Sequence, residues 1–160
     1  PPTFLTAAMG GASALPMLAF LLLFLGLRRR RLVLYDAHSI RFTILTGGPG
    51  SLSGVRGLAL VTRSTADDLL ADSAIGPTLA NLIRRGAVEV HDLGEGALVQ
   101  ALMLARTTGM SLEAAANLIA AVTHGATAVV LSDLLAASVA RELGLEVLLL
   151  SPTILEGGVS

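Results

Sequence analysis

Acidic side chains follow several short apolar runs in this chain, and carboxylates are the residue type here that is best suited to metal chemistry. The set, with one histidine among the acids, is Asp36, His38, Asp67, Asp68, Asp92, Glu95 and Asp133. The carboxyl ends of parallel strands meet at one edge of a sheet, where α/β domains bind their ligands. Hard cations such as Mg²⁺ and Mn²⁺ take oxygen ligands. Several of these carboxylates, converging at one edge, could therefore hold such an ion.

The same spacing has a second explanation, since Asp is also favoured at helix N-caps. Helices begin at the edge of the sheet where the strands end, so a capping residue and a metal ligand occupy similar sequence positions. The residue types favour the capping role over a metal-dependent hydrolytic site, which would need several of these carboxylates to converge. The residues alone therefore predict no cofactor.

Other chemistries find less support. The chain has no Cys, which excludes disulfides, thiolate metal sites and cysteine catalysis. The glycine-rich segment Gly47–Gly54 lacks the Gly-Lys-Ser/Thr ending of a phosphate-binding P-loop and is interpreted as a connecting loop. His38, His91 and His124 have no partner at zinc-ligand spacing. No G-x-S-x-G nucleophile motif is present.

The N-terminal segment predicts a membrane anchor. Phe4–Leu27 contains 24 residues without a charge, which as a helix would span about 36 Å and cross a bilayer core of about 30 Å. Arg28, Arg29, Arg30 and Arg31 follow at once. By the positive-inside rule this end is cytoplasmic, which places the N-terminus outside a bacterial inner membrane. The same arginines are candidates for binding anionic lipid headgroups.

Small residues at four-residue spacing lie within this segment. The pairs are Ala7 with Gly11, Ala8 with Ala12, and Gly10 with Ala14. Such spacing lets helix backbones approach closely, so we expect helix packing against a protein partner in the membrane.

The rest of the chain predicts an α/β domain with a mostly parallel sheet flanked by helices. The predicted domains are residues 1–31, the anchor with its arginine cluster, and residues 32–160, the cytoplasmic domain. The predicted strands are Leu32–Tyr35, Ile40–Thr46, Leu58–Thr62, Ala87–His91, Ala128–Leu131 and Val147–Leu150. Helices are predicted from Ser64 to Leu70, from Pro77 to Gly86, from Glu95 to Thr108, from Ser111 to Gly125 and from Asp133 to Leu143. The last strand–helix–strand unit, with two buried strands, determines the class.

The charge of this domain argues against nucleic acid as a partner. From Leu32 onward the chain has seven Arg, no Lys and twelve acidic residues, which gives a net charge of −5. A surface that holds a phosphate backbone shows the opposite sign.

The second part of the chain resembles the PIN-domain family of small α/β nucleases. Asp92-Leu-Gly-Glu95 before an Ala/Leu-rich helix is similar to the acidic loop and helix of that family, and Leu131-Ser-Asp133 is similar to its penultimate strand and metal-binding Asp. Asp36 matches the position of the family's first Asp. The resemblance implies Mg²⁺ or Mn²⁺ as the cofactor, with Asp36, Asp92 and Asp133 as its candidate ligands and Glu95 as a further candidate catalytic acid. Where the family has a further Asp, this chain reads Glu113-Ala114-Ala115-Ala116, and Asp133 is the only acid after the penultimate strand.

Three functions follow as expectations. The first is a non-catalytic, membrane-anchored domain that serves as an accessory or assembly subunit of a larger membrane complex. The second is a membrane-tethered, PIN-like, metal-dependent nuclease that uses Asp36, Asp92 or Glu95, and Asp133. The third is a sensor that binds a small ligand, such as a nucleotide or an acyl group, at the strand ends. The incomplete acid set favours the first.

Overall fold

The computed structural model describes residues 16–21, 31–47 and 57–150, and the chain divides into two units, residues 1–30 and 31–160. In the first unit, residues 16–21 are helical, and Met17 and Phe20 are exposed. Among the described residues, no helix has both the length and the apolar character that a membrane crossing requires. The rest of the predicted anchor, with all three small-residue pairs and Arg28, Arg29 and Arg30, lies outside the described residues, as do residues 48–56.

The described part of the second unit forms a five-stranded parallel sheet. The strands are β1 (Leu32–Tyr35), β2 (Leu58–Thr62), β3 (Val88–His91), β4 (Ala128–Leu131) and β5 (Glu146–Leu149). Their order across the sheet is β3-β2-β1-β4-β5, and every neighbouring pair is parallel. The predicted parallel α/β class is therefore confirmed.

Within residues 31–47 and 57–150, six helices cover the two faces of the sheet. They are α1 (Ala37–Gly47), α2 (Arg63–Leu70), α3 (Gly76–Arg84), α4 (Glu95–Thr108), α5 (Leu112–Thr123) and α6 (Leu134–Glu142). Helices α1, α2 and α3 pack with Val33, Tyr35 and Val61 on one face. Helices α4, α5 and α6 pack with Leu34 and Leu60 on the other. Successive strand side chains point to opposite faces, so a continuous apolar strand supplies both cores.

The predicted strand Ile40–Thr46 is wrong, because this segment belongs to α1. Ile40, Phe42 and Ile44 alternate with polar residues and so imitate a strand. In the structure Ile40 and Ile44 are buried one helical turn apart. A side-chain oxygen of Asp36 accepts a hydrogen bond from the backbone N–H of Ser39 at 2.8 Å and so stabilises the first turn.

Two smaller expectations also differ from the structure. The N-cap of helix α2 is Thr62, two residues before Ser64, the expected cap, and the Thr62 side chain accepts a hydrogen bond from the backbone N–H of Thr65. The strand predicted over Val147–Leu150 as buried is β5, an edge strand in which alternate residues are exposed. Leu148 retains 53% exposure. Within the described part of the chain, β5 pairs with β4 alone.

The chain changes direction across the sheet at β1. It moves outward from β1 through β2 to β3 with helices on one face, and returns to β4 and β5 with helices on the other. Neighbouring strands β1 and β4 therefore send their following segments to opposite faces. In open α/β sheets this point leaves a crevice beyond the carboxyl ends of the two strands.

Candidate functional site

The crevice position between β1 and β4 is occupied by the carboxylate of Asp36. Its Oδ1 accepts the backbone N–H of Ser39 at 2.8 Å, and its Oδ2 accepts the backbone N–H of Ser132 at 2.7 Å and the Ser132 hydroxyl at 2.8 Å. The backbone N–H of Asp36 donates to the carbonyl of Val130 at 3.1 Å. This half-buried side chain therefore joins the end of β1 to the end of β4 and the start of α1.

These bonds use most of the acceptor capacity of Asp36. A carboxylate offers about four lone-pair positions, and three of them receive protein donors. Bonds to an ionised acceptor are stronger than neutral ones. The geometry therefore gives Asp36 a structural role that the sequence reasoning assigned to Asp residues in general.

Asp133 follows Ser132 and is the N-cap of α6. Its Oδ1 accepts the backbone N–H of Leu135 at 3.1 Å, and its side chain is exposed. Asp36, Ser132 and Asp133 form what we call the switch-point edge. The structure places the two acids at the ends of neighbouring strands, and each of them caps the helix that follows.

The other acids lie at the ends of β2 and β3, in a surface depression that we call the acidic groove. Its volume is about 460 Å³, and its lining residues are Thr62, Arg63, Ser64, Asp67, Asp68, Asp92 and Leu93. Nε of Arg63 donates to Oδ1 of Asp92 at 3.0 Å, and both side chains are more than half exposed. Glu95 is exposed in the first turn of α4, and His38 is exposed on α1.

The predicted metal ligands Asp36, Asp92 and Asp133 each bind a partner within the chain. Strand β3, which Asp92 follows, lies two positions from β1 in the sheet, whereas β4, which precedes Asp133, is a direct neighbour of β1. No group of three His, Asp or Glu side chains within residues 16–21, 31–47 and 57–150 could hold a metal.

Arg31 is the one member of the arginine cluster within the described residues, and it contacts its own domain. Its guanidinium donates to Glu146 at 3.0 Å and to the Thr127 hydroxyl at 3.3 Å. Both partners of the ion pair are mostly exposed, so lipid binding by Arg31 would compete with this contact.

Sequence reasoning missed the part that Ser132, Arg63 and Tyr35 play at these edges. Ser132 adjoins Asp133, but its partner Asp36 lies 96 residues away. Tyr35 is fully buried beside Asp36, its hydroxyl has no hydrogen-bond partner in the described part of the chain, and burial raises its pKa to about 12. One sequence feature could have indicated the burial of Tyr35: it is the last residue of an apolar strand and directly precedes Asp36.

No protein-family model matches this chain, and no curated protein matches it. Among solved structures, the chain is similar to a chain of a toxin-antitoxin complex from Klebsiella pneumoniae. The two are 11% identical, with a TM-score of 0.50, and the match covers 63% of this chain and 86% of the other. At this identity the similarity concerns the α/β fold alone.

Proposed function

We propose that this protein is a non-catalytic, membrane-tethered α/β domain that serves as an accessory or assembly subunit of a larger membrane complex. One observation carries the proposal: the carboxylate at the switch point binds its own chain. Three donors from Ser39 and Ser132 hold Asp36 in place. Ligands of α/β domains bind in the crevice at this point, and one that bound through Asp36 would have to compete with these donors.

The distribution of the remaining acids supports the same function. Asp133 caps α6, and Asp92 pairs with Arg63. Asp67 and Asp68 are exposed on α2. Asp133 and Asp92 therefore have ordinary structural roles, which supports a domain that acts through contacts with other proteins.

The tether rests on the sequence. Phe4–Leu27 is uncharged, and four arginines follow it. The proposed orientation places the domain in the cytoplasm at the inner membrane. The proposed membrane contacts are the pairs Ala7 with Gly11 and Ala8 with Ala12, where small residues permit close packing with a partner helix.

The test is extraction of the full chain from native membranes in mild detergent, followed by identification of the proteins that migrate with it. We expect a stoichiometric partner set that Gly11→Ile releases, because the larger side chain blocks helix approach. Leu23→Ile is the matched control and should retain the partners. A protein that migrates alone, or is recovered without detergent, would overturn the proposal.

A second candidate function has one specific observation in its favour. Asp36 and Asp133 follow neighbouring strands in an α/β domain that resembles the PIN nucleases, so a metal-dependent nuclease places its acids at this same edge. The test is cleavage of RNA by the purified full chain with and without Mn²⁺. Cleavage that depends on Mn²⁺, is lost in Asp133→Asn and is retained in Asp68→Asn would replace the first proposal with this one.

A further inference from the structure

Helix α4 presents an apolar surface on the side that faces away from the core. Of its fourteen residues only Ala101 is fully buried. Leu98, Val99, Leu102 and Met103 are between 45% and 64% exposed. An exposed group of four large apolar side chains on one helix is the kind of patch that marks an interaction surface.

The patch is a continuous stripe with a charge at each end. At 3.6 residues per turn, the positions of the four apolar residues fall on one face together with Glu95 in the first turn and Arg106 in the last. We call these six residues the α4 stripe. Within the described residues neither Glu95 nor Arg106 forms a side-chain hydrogen bond or an ion pair.

The α4 stripe is complementary to itself. Glu95 and Arg106 lie at equal distances from the midpoint of the stripe, between Gln100 and Ala101. If a second α4 packs antiparallel about a two-fold axis through that midpoint, each glutamate faces an arginine of the other copy. Leu98 then faces Met103, and Val99 faces Leu102. A parallel arrangement would instead place like charges together at both ends.

From this symmetry we infer that α4 is a homodimer interface, in which two copies of the chain pair their α4 stripes antiparallel. A two-fold interface requires a surface that matches itself under rotation, and the charge pattern of α4 meets that requirement with two unpaired, opposite charges. The inference rests on the proposed function, since it names one partner, a second copy, for a domain that acts through contacts.

The size of the stripe sets the expected strength. A fourteen-residue helix is about 21 Å long, and one helix pair covers less than the roughly 800 Å² per partner of a standard interface. We therefore expect a dissociation constant on the order of micromolar.

The first experiment is sedimentation analysis of the full chain in mild detergent, with variants of the charged ends. Glu95→Arg and Arg106→Glu should each weaken the dimer at least about tenfold, because each creates two like-charge contacts. The double variant should restore the affinity of the native chain. Equal loss in the double variant, or no loss in the single ones, would overturn the inference.

The apolar part is tested with a matched pair of variants. Met103→Glu should abolish the dimer, whereas Leu134→Glu, at a similarly exposed position on α6, should leave it intact. Both positions are exposed, so both variants should fold, which circular dichroism will check. A native dimer that Met103→Glu does not affect would place the contact elsewhere, for example in the anchor, and would overturn the inference.

Cross-linking tests the orientation, because the native chain contains no cysteine. Glu95→Cys and Arg106→Cys proteins, when mixed and oxidised, should form a disulfide-linked dimer. Each protein alone should not, because its two thiols would lie about 16 Å apart along the helix axis. A chain that is monomeric at high concentration but extracted with other membrane proteins would overturn the self-pairing and leave the proposed function standing.

Discussion

The carboxyl edge of the sheet has two halves that hold their acids in different ways. At the switch-point edge, Asp36 is half-buried and accepts three short hydrogen bonds from Ser39 and Ser132. In the acidic groove, Asp92 has a single arginine partner, and the side chains of that pair are 72% and 54% exposed. The sequence positions of the acids are equivalent, each directly after a strand, yet their surroundings differ.

The difference follows from topology. Strands β1 and β4 are neighbours whose following segments leave on opposite faces, so the backbone N–H of Ser132 is free to point at Asp36. Strand β3 lies at the edge of the described sheet, with β2 as its neighbour, and the acid that follows it, Asp92, faces water. A residue after a strand therefore becomes structural or solvent-exposed according to which strand lies beside it, and strand order is a property of the whole fold.

Among variants at the two halves of the edge, Asp36→Ala is expected to lower stability the most. The change removes the α1 cap and the link to β4, and we expect a loss of about 3 kcal/mol in the free energy of unfolding. Urea unfolding of the full chain measures it, with the exposed Asp68→Ala as the control. If the two variants were equally stable, Asp36 would contribute no more to stability than an exposed acid of the acidic groove.

Ser132→Ala separates the side-chain part of this link from the backbone part. The hydroxyl donor at 2.8 Å is lost, while the Ser132 backbone N–H still reaches Asp36 at 2.7 Å. A hydrogen bond to a charged group contributes about 1.5 kcal/mol or more, so we expect a loss of about that size. Urea unfolding measures the loss. The control Ser138→Ala on α6, at an exposed position, should change the free energy of unfolding little. A Ser132 variant as stable as this control would assign the link to the backbone alone.

The switch-point edge also shows what the sequence could and could not predict. The apolar runs located β1, β2 and β4 correctly because their side chains are buried on both faces. Strand β3 was also located, although Val88 is its one fully buried residue. The alternation in Ile40–Thr46 misled, since an amphipathic helix and a half-buried strand share short patterns. The clue was Asp36 as an N-cap, which the carboxylate spacing offered as an alternative to metal binding.

The partners at the site depend on contacts that are remote in sequence. Ser132 and Asp36 are 96 residues apart, and no local pattern joins them. The edge position of β5 likewise follows from strand order rather than from its apolar composition, which is that of a buried strand. Sequence reasoning therefore predicted that these acids follow strands, and the tertiary fold decided which of them accept hydrogen bonds from remote parts of the chain.

The hydroxyl of Tyr35, next to Asp36, is expected to destabilise the fold at the same edge. Its buried hydroxyl has no partner among the described residues, so Tyr35→Phe should raise the free energy of unfolding by about 1 kcal/mol at neutral pH. Thermal unfolding measures the gain. A variant less stable than the native chain would show that the hydroxyl is bonded after all.

The burial of Tyr35 can also be measured through the pH dependence of stability. Burial raises its pKa from 10.0 to about 12 in the folded chain, so the unfolded state ionises first. The contribution of neutral Tyr35 to the free energy of unfolding should be fully present below pH 10 and be lost as the pH rises from 10 to 12. Tyr35→Phe should not show this loss. The chain has one Tyr, no Lys and no Cys, so tyrosinate absorbance follows a single group. A midpoint near 10 would contradict burial of the phenol.

The smallest effect is expected in the acidic groove, from the pair of Arg63 and Asp92. Exposed ion pairs contribute little, because solvent screens the charges and both side chains lose freedom. In a double-mutant cycle of Arg63→Ala and Asp92→Ala, we expect a coupling below about 0.5 kcal/mol, and about 0.5 M salt should remove it. A coupling above about 1.5 kcal/mol, comparable to the bond from Ser132 to Asp36, would make the two halves alike. The distinction drawn from exposure would then fail, and the acidic groove would become the better place to look for a ligand.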